Sequence, residues 1–489
     1  MDSSLSWKSL RHFLDFLREN GELAVVREPA DPVLEIAEIA DRVMKAEGPA
    51  LLFENVVGSE FPVAINVYGS RRRMSWALGV EDLEEHPRRL KELLTTQPPT
   101  SFWDKLKMLP KLAQVAKAAP KTTAKAPCQE IVWDEVDLNR LPILKCWPED
   151  GGRFITLPMV ITRDPDTGRR NVGLYRMQVL DKASTAMHWQ IHKVGARHFQ
   201  RYKELGQKIP VAVAIGGEPV LTYTATAPLP DQVDEFLFAG YLKGSSVEMV
   251  DCLSCDLQVP ASADFVLEGY IDPNEEMVDE GPFGDHTGYY TPVEKFPRFH
   301  VTKITQRRDP IYLTTIVGIP PMEDKFLGLA TERLFLPMVQ LTFPEVVDMY
   351  LPPEACFHNL CILSIKKSYP GHAQKIMHAL WGMGQMMFCK CFIVVDHDVD
   401  VQNVTEIVWR VSNNIDAKRD LVLVEGPVDH LDHASPRQFV GAKMGIDATR
   451  KWKEEGYERE WPRDIRMSEE IKKKVDALWP KLQLKGRQQ

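Results

Sequence analysis

Three things are scarce in this chain of 489 residues: cysteine, surplus positive charge and long apolar runs. Eight cysteines over this length are too sparse to frame a disulfide-held fold, so reduced thiols are expected. Cys252 and Cys255 form a CxxC, but no second pair of matching spacing follows to complete a zinc ribbon, and Cys389 and Cys391 fall in an apolar, strand-like stretch. All are read as structural thiols. The formal net charge is -9 with no strongly basic block, which removes the electrostatic basis of nucleic-acid binding. No apolar run is long enough to cross a bilayer, and Met1-Asp2-Ser3-Ser4 has neither the basic start nor the apolar core of a secretory signal. The expected location is the cytoplasm. A P-loop, a GxGxxG between strand and helix, and a GxSxG elbow are also missing, so nicotinamide oxidoreductase and serine hydrolase readings lose their usual support.

What is present suits a soluble globular protein: 44% hydrophobic and 26% charged residues, in a chain long enough for about three domains. Leu10, Phe13, Leu14 and Leu17 recur at helical spacing until Asn20-Gly21 stops them, and Ile36, Ile39, Ala40 and Val43 share one face of a second helix over 34–45. Short strands at 50–53 and 62–67 complete a small α/β module. Between 96 and 127 the composition turns to Lys, Ala, Pro and Thr, which marks a connector and a domain break near 120. From 131 to 318 the pattern is strand-rich, with a hairpin of 157–162 and 171–180 around Asp164-Pro165-Asp166-Thr167-Gly168. Further strands are expected at 211–215, 247–250, 265–270, 299–305 and 311–317, interrupted by one short helix at 231–242. Such a run suggests a barrel or sandwich. Beyond 325, helices at 331–341, 372–383 and 404–411 and strands at 360–365, 392–395 and 421–424 predict an α/β domain of a kind that packs against copies of itself. A helical tail follows from 452.

The most informative segment is Glu280-Gly281-Pro282-Phe283-Gly284-Asp285-His286-Thr287-Gly288, a bent loop carrying two carboxylates. Held close, two carboxylates cannot both ionise easily, so one pKa is expected to rise and leave a proton donor near neutral pH. A hairpin loop with solvated acids has the same spacing. In Asn171-Val172-Gly173-Leu174-Tyr175-Arg176-Met177-Gln178, Arg176 is an always-charged fork fitted to a carboxylate or phosphate. Alternation places Asn171 and Arg176 on opposite faces, so sharing one ligand requires a bulge at Gly173 or use of both strand ends. His188, His192 and Glu235 are donors of the kind that bind a divalent ion, although surface or core histidines fit equally; His430 and His433 are left structural.

Several blocks, in order, resemble the UbiD family of prenylated-flavin-dependent decarboxylases: GPALLFENV, VDLNRLPILKCWPEDGG, NVGLYRMQV, ASADFVLEGY, EGPFGDHTGYY, YLPPEACF, IVVDHDVDV and GAKMGIDAT. The resemblance covers nearly the whole chain. It implies an α+β fold of three parts: an N-terminal α/β module with connector over 1–120, a split β-barrel binding prenylated FMN over 121–320, and a C-terminal α/β oligomerisation domain with helical tail over 321–489. It also implies a catalytic set of Glu280, Arg176 and Asp285, with Asp285 the proton donor. Cofactor contacts fall at Thr156, Leu174, Tyr175, Arg176, His188, Trp189, Gln190, Lys193, Val194 and Lys390. A divalent metal, manganese for preference, is held by Asn171, His192 and Glu235, with potassium as a further ion.

Removing CO₂ from an sp² carbon leaves an electron pair that the π system cannot delocalise, so a cofactor must act as electron sink. The implied partners are an aromatic or unsaturated carboxylic acid, a flavin prenyltransferase that supplies the cofactor, and further copies of the chain in a dimer or hexamer. Some family members carry glutamate at the position of Asp285; those with aspartate look more like enzymes of 4-hydroxybenzoate-type quinone precursors. The rival readings are an FMN-dependent split-barrel reductase and a non-catalytic flavin-binding or assembly subunit.

Overall fold

The computed structural model describes residues 5–95, 116–124 and 126–482. Most of the lysine-rich connector expected at 96–127, and the last residues of the expected tail, lie outside them. Near the start, Ser9 accepts the amide of His12 and caps the helix Leu10–Glu19, which buries Leu10, Phe13, Leu14 and Leu17. With the helix Glu35–Lys45 it covers a four-stranded sheet ordered Leu23–Val26, Ala50–Phe53, Val63–Ile65, Tyr312–Leu313. The last strand is a correction to the expected barrel strand at 311–317. Only Tyr312 and Leu313 are in strand geometry, and they pair with Val63 and Ala64 of the N-terminal module, because pairing partners are chosen by tertiary position.

The central sheet is built from Phe154–Ile155, Met177–Asp181, Ser184–Met187, Arg298–Gln306, Phe265–Ile271, Ile209–Ile215, Met159–Arg163 and Arg170–Leu174, in that spatial order, with Ile131–Val132 added against Arg298–Gln306. Its curvature follows from connectivity. Arg170–Leu174 and Met177–Asp181 are six strand spacings apart, roughly 29 Å in a flat sheet, yet only Tyr175 and Arg176 join them, a reach of roughly 10 Å. Three residues likewise join the first strand to the seventh. The sheet must therefore curl until its ends meet, and Arg176 lies at the crossing.

Here the expected strand over 171–180 breaks in two. Its first half forms the expected hairpin with Met159–Arg163, Arg163 opposite Arg170, while its second half leaves for the other edge. No register shift occurs at Gly173, so no bulge forms there. Asn171 instead bonds to Tyr175, the residue before Arg176, where the chain crosses between strands after Leu174. Gly173 serves another need: a Cβ there would meet the Tyr175 ring at 2.3 Å. The helices Val194–Leu205 and Pro219–Thr224 were not expected; the remaining one, Glu235–Lys243, falls within the predicted 231–242 but for its last residue.

A long helix, Asp324–Thr342, leads to a five-stranded sheet ordered Val346–Tyr350, Leu360–Ile365, Cys391–Asp396, Val440–Asp447, Leu421–Pro427. Alternate residues of Leu360–Ile365 point to opposite faces. Cys361 and Leu363 meet Ile376 and Leu380 of the helix His372–Trp381, while Ile362 shares a second core with Ile407 of Val404–Asn414. The strand Val440–Asp447 escaped the sequence reading because Gly441 and Gly445 interrupt its pattern; a Cβ at Gly445 would meet the sulfur of Met377 at 2.4 Å. Among the described residues the tail is helical over the short turn Lys453–Glu455, over Glu469–Leu478 and over the turn Trp479–Leu482, and no helix is long and apolar enough to cross a membrane.

Candidate active site

The two-carboxylate loop leaves the strand Val278–Glu280, turns through Gly281 and Pro282, and returns as Phe283–Gly284 paired with Tyr290–Thr291. Gly281 has φ +102, a conformation side chains disfavour, and a Cβ there would lie 2.9 Å from the Pro292 carbonyl. Side chains from the barrel hold the loop. Gln178 Oε1 accepts the Gly281 amide at 2.7 Å, and Asp150 accepts the amides of Gly284 at 2.8 Å and Trp147 at 2.9 Å. Both carboxylates thus have fixed backbones before any ligand binds.

Arg176 lies between them. Its Nε and Nη2 donate to the two oxygens of Glu280 at 2.7 and 2.9 Å, Nη1 donates to Asp285 Oδ2, and Nη2 also reaches Thr291 Oγ1 at 3.1 Å. The guanidinium stacks 4.5 Å over Phe283. Glu280 is fully buried and Asp285 nearly so. This corrects the expectation that crowding would raise one carboxyl. Burial does push both upward, but His188 and Arg176 hold Glu280 at about 2, and His286 with Arg176 holds Asp285 well below the usual carboxylate range. The physical reason is the cation placed between the two anions.

Behind Asp285 runs a line of imidazoles that the sequence reading missed. Asp285 Oδ1 accepts the His286 amide at 2.7 Å and faces His286 Nδ1 at 2.8 Å, and His286 Nε2 lies 3.0 Å from His358 Nε2. Burial would lower His286, but Asp285 raises it, while burial pushes His358 down to about 4. Asp285 thus favours the charged form of the His286 ring, while burial favours the neutral form of His358. Asp324, pushed up to about 7 by burial, lies beside them. The available signal was adjacency, since His286 follows Asp285 directly in the sequence.

These groups line a cavity of about 460 Å³ between the curled sheet and the C-terminal domain, with Thr156, Leu174, Tyr175, Arg176, His188, Gln190 and Lys193 on the barrel side. Asp285, His286, Asp324, Phe357, His358 and Asp429 face them. Trp189 lines an adjoining cleft that shares Gln190. Val194 opens the helix Val194–Leu205 and lines neither space. Lys390 is bonded to Asp432 at 2.7 Å and also lies outside both linings. Of the expected metal trio, Asn171 and Glu235 come together around Tyr175, and Glu235 Oε2 accepts the Val172 amide at 3.2 Å. His192 is exposed and packs against the rings of Phe388 and Phe439; no hydrogen bond or ion pair links it to Asn171 or Glu235 among the described residues.

The low pKa of Glu280 has a consequence for stability. A carboxyl held at about 2, against 4.5 ordinarily, contributes stability that is full above pH 4.5 and is lost as pH falls toward 2. The urea midpoint of the wild type is expected to drop between pH 5 and pH 3, and Glu280→Gln to flatten that drop. A variant with the wild-type slope would count against the clamp as its source.

A buried arginine clamped by two acids, with two imidazoles behind one of them, is an arrangement able to bind an anion and carry a proton. Three family models agree and subdivide the chain. The 3-octaprenyl-4-hydroxybenzoate carboxy-lyase N-terminal domain matches residues 14–93, its Rift-related domain 120–320, and its C-terminal domain 325–448. An uncharacterized protein of Aquifex aeolicus is 53% identical over 479 residues, 97% of this chain and 99% of that one. The vanillic acid decarboxylase of Sedimentibacter hydroxybenzoicus in closed form matches with TM-score 0.85 and 28% identity, over 98% of this chain and 100% of that one. The UbiD-class enzyme HmfF of Pelotomaculum thermopropionicum in complex with FMN matches with TM-score 0.77 and 31% identity, over 93% and 97%; an evolved dimeric form of it, in complex with prFMN, gives 0.78, 29%, 96% and 100%. The chain belongs to the UbiD family and is a carboxy-lyase, a UbiD-class decarboxylase.

Proposed function

We propose that this protein is a reversible, prenylated-FMN-dependent decarboxylase of an aromatic or α,β-unsaturated carboxylic acid, a 4-hydroxybenzoate-type quinone precursor being the favoured substrate. The observation that carries the reading is the Arg176 guanidinium, bidentate on buried Glu280 and turned toward Asp285 inside the cavity. The substrate lean is supported by the compound in the family's description and by the vanillic acid decarboxylase, whose named substrate is itself a 4-hydroxybenzoate.

The residues present fit an anionic flavin and a bridging cation. Asn171 Nδ2, His188 Nε2 and Trp189 Nε1 are buried without hydrogen-bond partners. Lys193, lowered by burial, forms no ion pair among the described residues, and neither does Glu235, which burial pushes up to about 7 against the opposing charge of Arg170. Lys193 would face the phosphate; Asn171 and Glu235 would hold the divalent metal, manganese for preference, with His192 their expected third. When bound, the prenylated flavin supplies the electron sink that an sp² carbon lacks.

The protein's own part is orientation and proton movement. A substrate carboxylate takes the Nη1 donor now occupied by Asp285, while Glu280 keeps the guanidinium plane fixed. Asp285, still buried but without its cation, then takes the proton from His286 Nδ1, and His358 and Asp324 are placed to restore it. After CO₂ leaves, Asp285 delivers that proton to the carbon. The reverse reaction runs through the same groups. Exposed apolar side chains on the tail, among them Ile471, Val475, Leu478 and Trp479, support a homo-oligomer in which this helix is covered.

The test is expression with and without a flavin prenyltransferase, followed by mass spectrometry of the released flavin and measurement of CO₂ from 4-hydroxybenzoate, vanillate and acrylic acids. Activity is expected only with the prenylated cofactor; hydride transfer from a nicotinamide to plain FMN would overturn the reading. Glu235→Ala is expected to purify folded with most of its flavin lost, since its duty is to the metal. Unchanged flavin content would count against that assignment.

A further inference from the structure

The CxxC at Cys252 and Cys255 gains a third donor only in the fold. The strands Glu248–Asp251 and Gln258–Pro260 form a hairpin whose tip reaches the central strand Phe265–Ile271. There Cys252 Sγ, Cys255 Sγ and a Glu268 carboxylate oxygen lie within 4.8 Å of one another. The pairing of Phe265–Ile271 with Arg298–Gln306 slips between Glu268 and Gly269, a local irregularity of the kind that re-aims a side chain.

Glu268 is the second observation. It is 0% exposed, yet it forms no ion pair among the described residues. Its partners all come from the hairpin tip: the Leu253 amide at 2.9 Å on Oε1, and the Ser254 amide at 2.6 Å and hydroxyl at 2.7 Å on Oε2. A carboxylate offers about four lone-pair positions, so one remains on Oε1. A buried anion without a counter-charge is costly, and the groups beside it are two thiols that become anions on binding a metal. Cys128, buried in the turn Pro127–Gln129, donates its amide to the Ala261 carbonyl at 3.2 Å, just past the end of this hairpin.

We propose that Cys252, Cys255 and Glu268 form a structural site for a thiophilic divalent cation, zinc by its chemistry, with Cys128 or a water as fourth ligand. Two thiolates and a carboxylate are a donor set that tetrahedral zinc accepts, with bonds of about 2.3 Å to sulfur and about 2.0 Å to oxygen. Such bonds place neighbouring donors roughly 3.3–3.8 Å apart, and the observed donors all lie within 4.8 Å of one another. Binding releases the two thiol protons and forms two metal–sulfur bonds and one metal–oxygen bond, with no redox change. The ion would fasten the three-stranded sheet of Gln258–Pro260, Glu248–Asp251 and Lys121–Thr122 onto the barrel. This donor set shares no residue with Asn171, His192 and Glu235, which offer nitrogen and oxygen alone, so sulfur coordination separates the two sites.

The test uses the full chain, purified with its flavin, kept reduced, stripped with a chelator and given zinc sulfate. X-ray absorption at the zinc edge is expected to show two or three sulfur neighbours at about 2.3 Å, and zinc to raise the melting temperature. Cys252→Ser with Cys255→Ser should lose both the sulfur shell and the shift. Zinc held by the wild type through nitrogen and oxygen alone would overturn the proposal. So would thiols that react with a thiol reagent equally fast with and without zinc, a reading of the wild type that stands even if the double variant does not fold.

Discussion

Replacing Arg176 by lysine is expected to lower turnover at least about 100-fold while leaving a folded protein, and replacing it by alanine to destabilise the fold as well. The guanidinium makes four directed bonds, two to Glu280 and one each to Asp285 and Thr291, and lies flat over Phe283. A lysine ammonium keeps the charge but not the fork, so Glu280 and an incoming carboxylate can no longer be held in one plane. A misplacement of about 1 Å in such a site costs on the order of 10²-fold in rate. Alanine removes the charge and leaves Glu280 buried without its main partner, a change that costs about 3–5 kcal/mol where buried pairs have been broken. CO₂ evolution and urea unfolding of the two variants measure these effects separately. Lysine-substituted protein with near wild-type turnover would show that a point charge suffices and that the fork is incidental.

Asp285→Asn is expected to keep the flavin and lose about 10²–10⁴-fold in kcat. The amide preserves the side chain's size, but it cannot take up a proton from His286 and pass it on. In the resting arrangement Asp285 is ionised, because His286 and Arg176 together outweigh its burial. In the proposed cycle it becomes a donor only when a carboxylate draws Arg176 away. Substrate binding should therefore be accompanied by net proton uptake in the wild type and not in the variant, which calorimetry in buffers of different ionisation enthalpy can read. Wild-type turnover in Asp285→Asn would remove the residue from the donor role; retained turnover loss without any difference in proton uptake would place the proton elsewhere on the His286–His358 line.

The legible parts of the fold were those set by local pattern. The helix beginning at Leu10 was readable because its apolar residues repeat at helical spacing and Asn20-Gly21 stops them. The hairpin around Asp164 and Gly168 was readable because turn chemistry fixes register over a few residues. What was not readable depends on remote partners. Nothing in 171–180 announces that the strand breaks at Tyr175, since that break answers the need of two distant sheet edges to meet. Nothing local to Tyr312 and Leu313 assigns them to the N-terminal sheet. His358, Asp324 and Asp429 reach the cavity from the C-terminal domain, and no spacing rule connects them to Asp285.

By itself the sequence determined which chemical groups this protein owns and the stretches over which they are ordered: one glycine- and proline-shaped loop with two acids, one arginine in an apolar context, and the blocks that mark the family. Composition and short-range periodicity carry that information, because both act over a turn or a hairpin. Only the tertiary structure decided what those groups are when they meet. It placed Arg176 between Glu280 and Asp285, and so reversed the direction of the expected pKa shift. It also gave the CxxC an acidic neighbour sixteen residues from Cys252. Charge interactions act through space rather than along the chain, so their sign is known only once the sheet has curled.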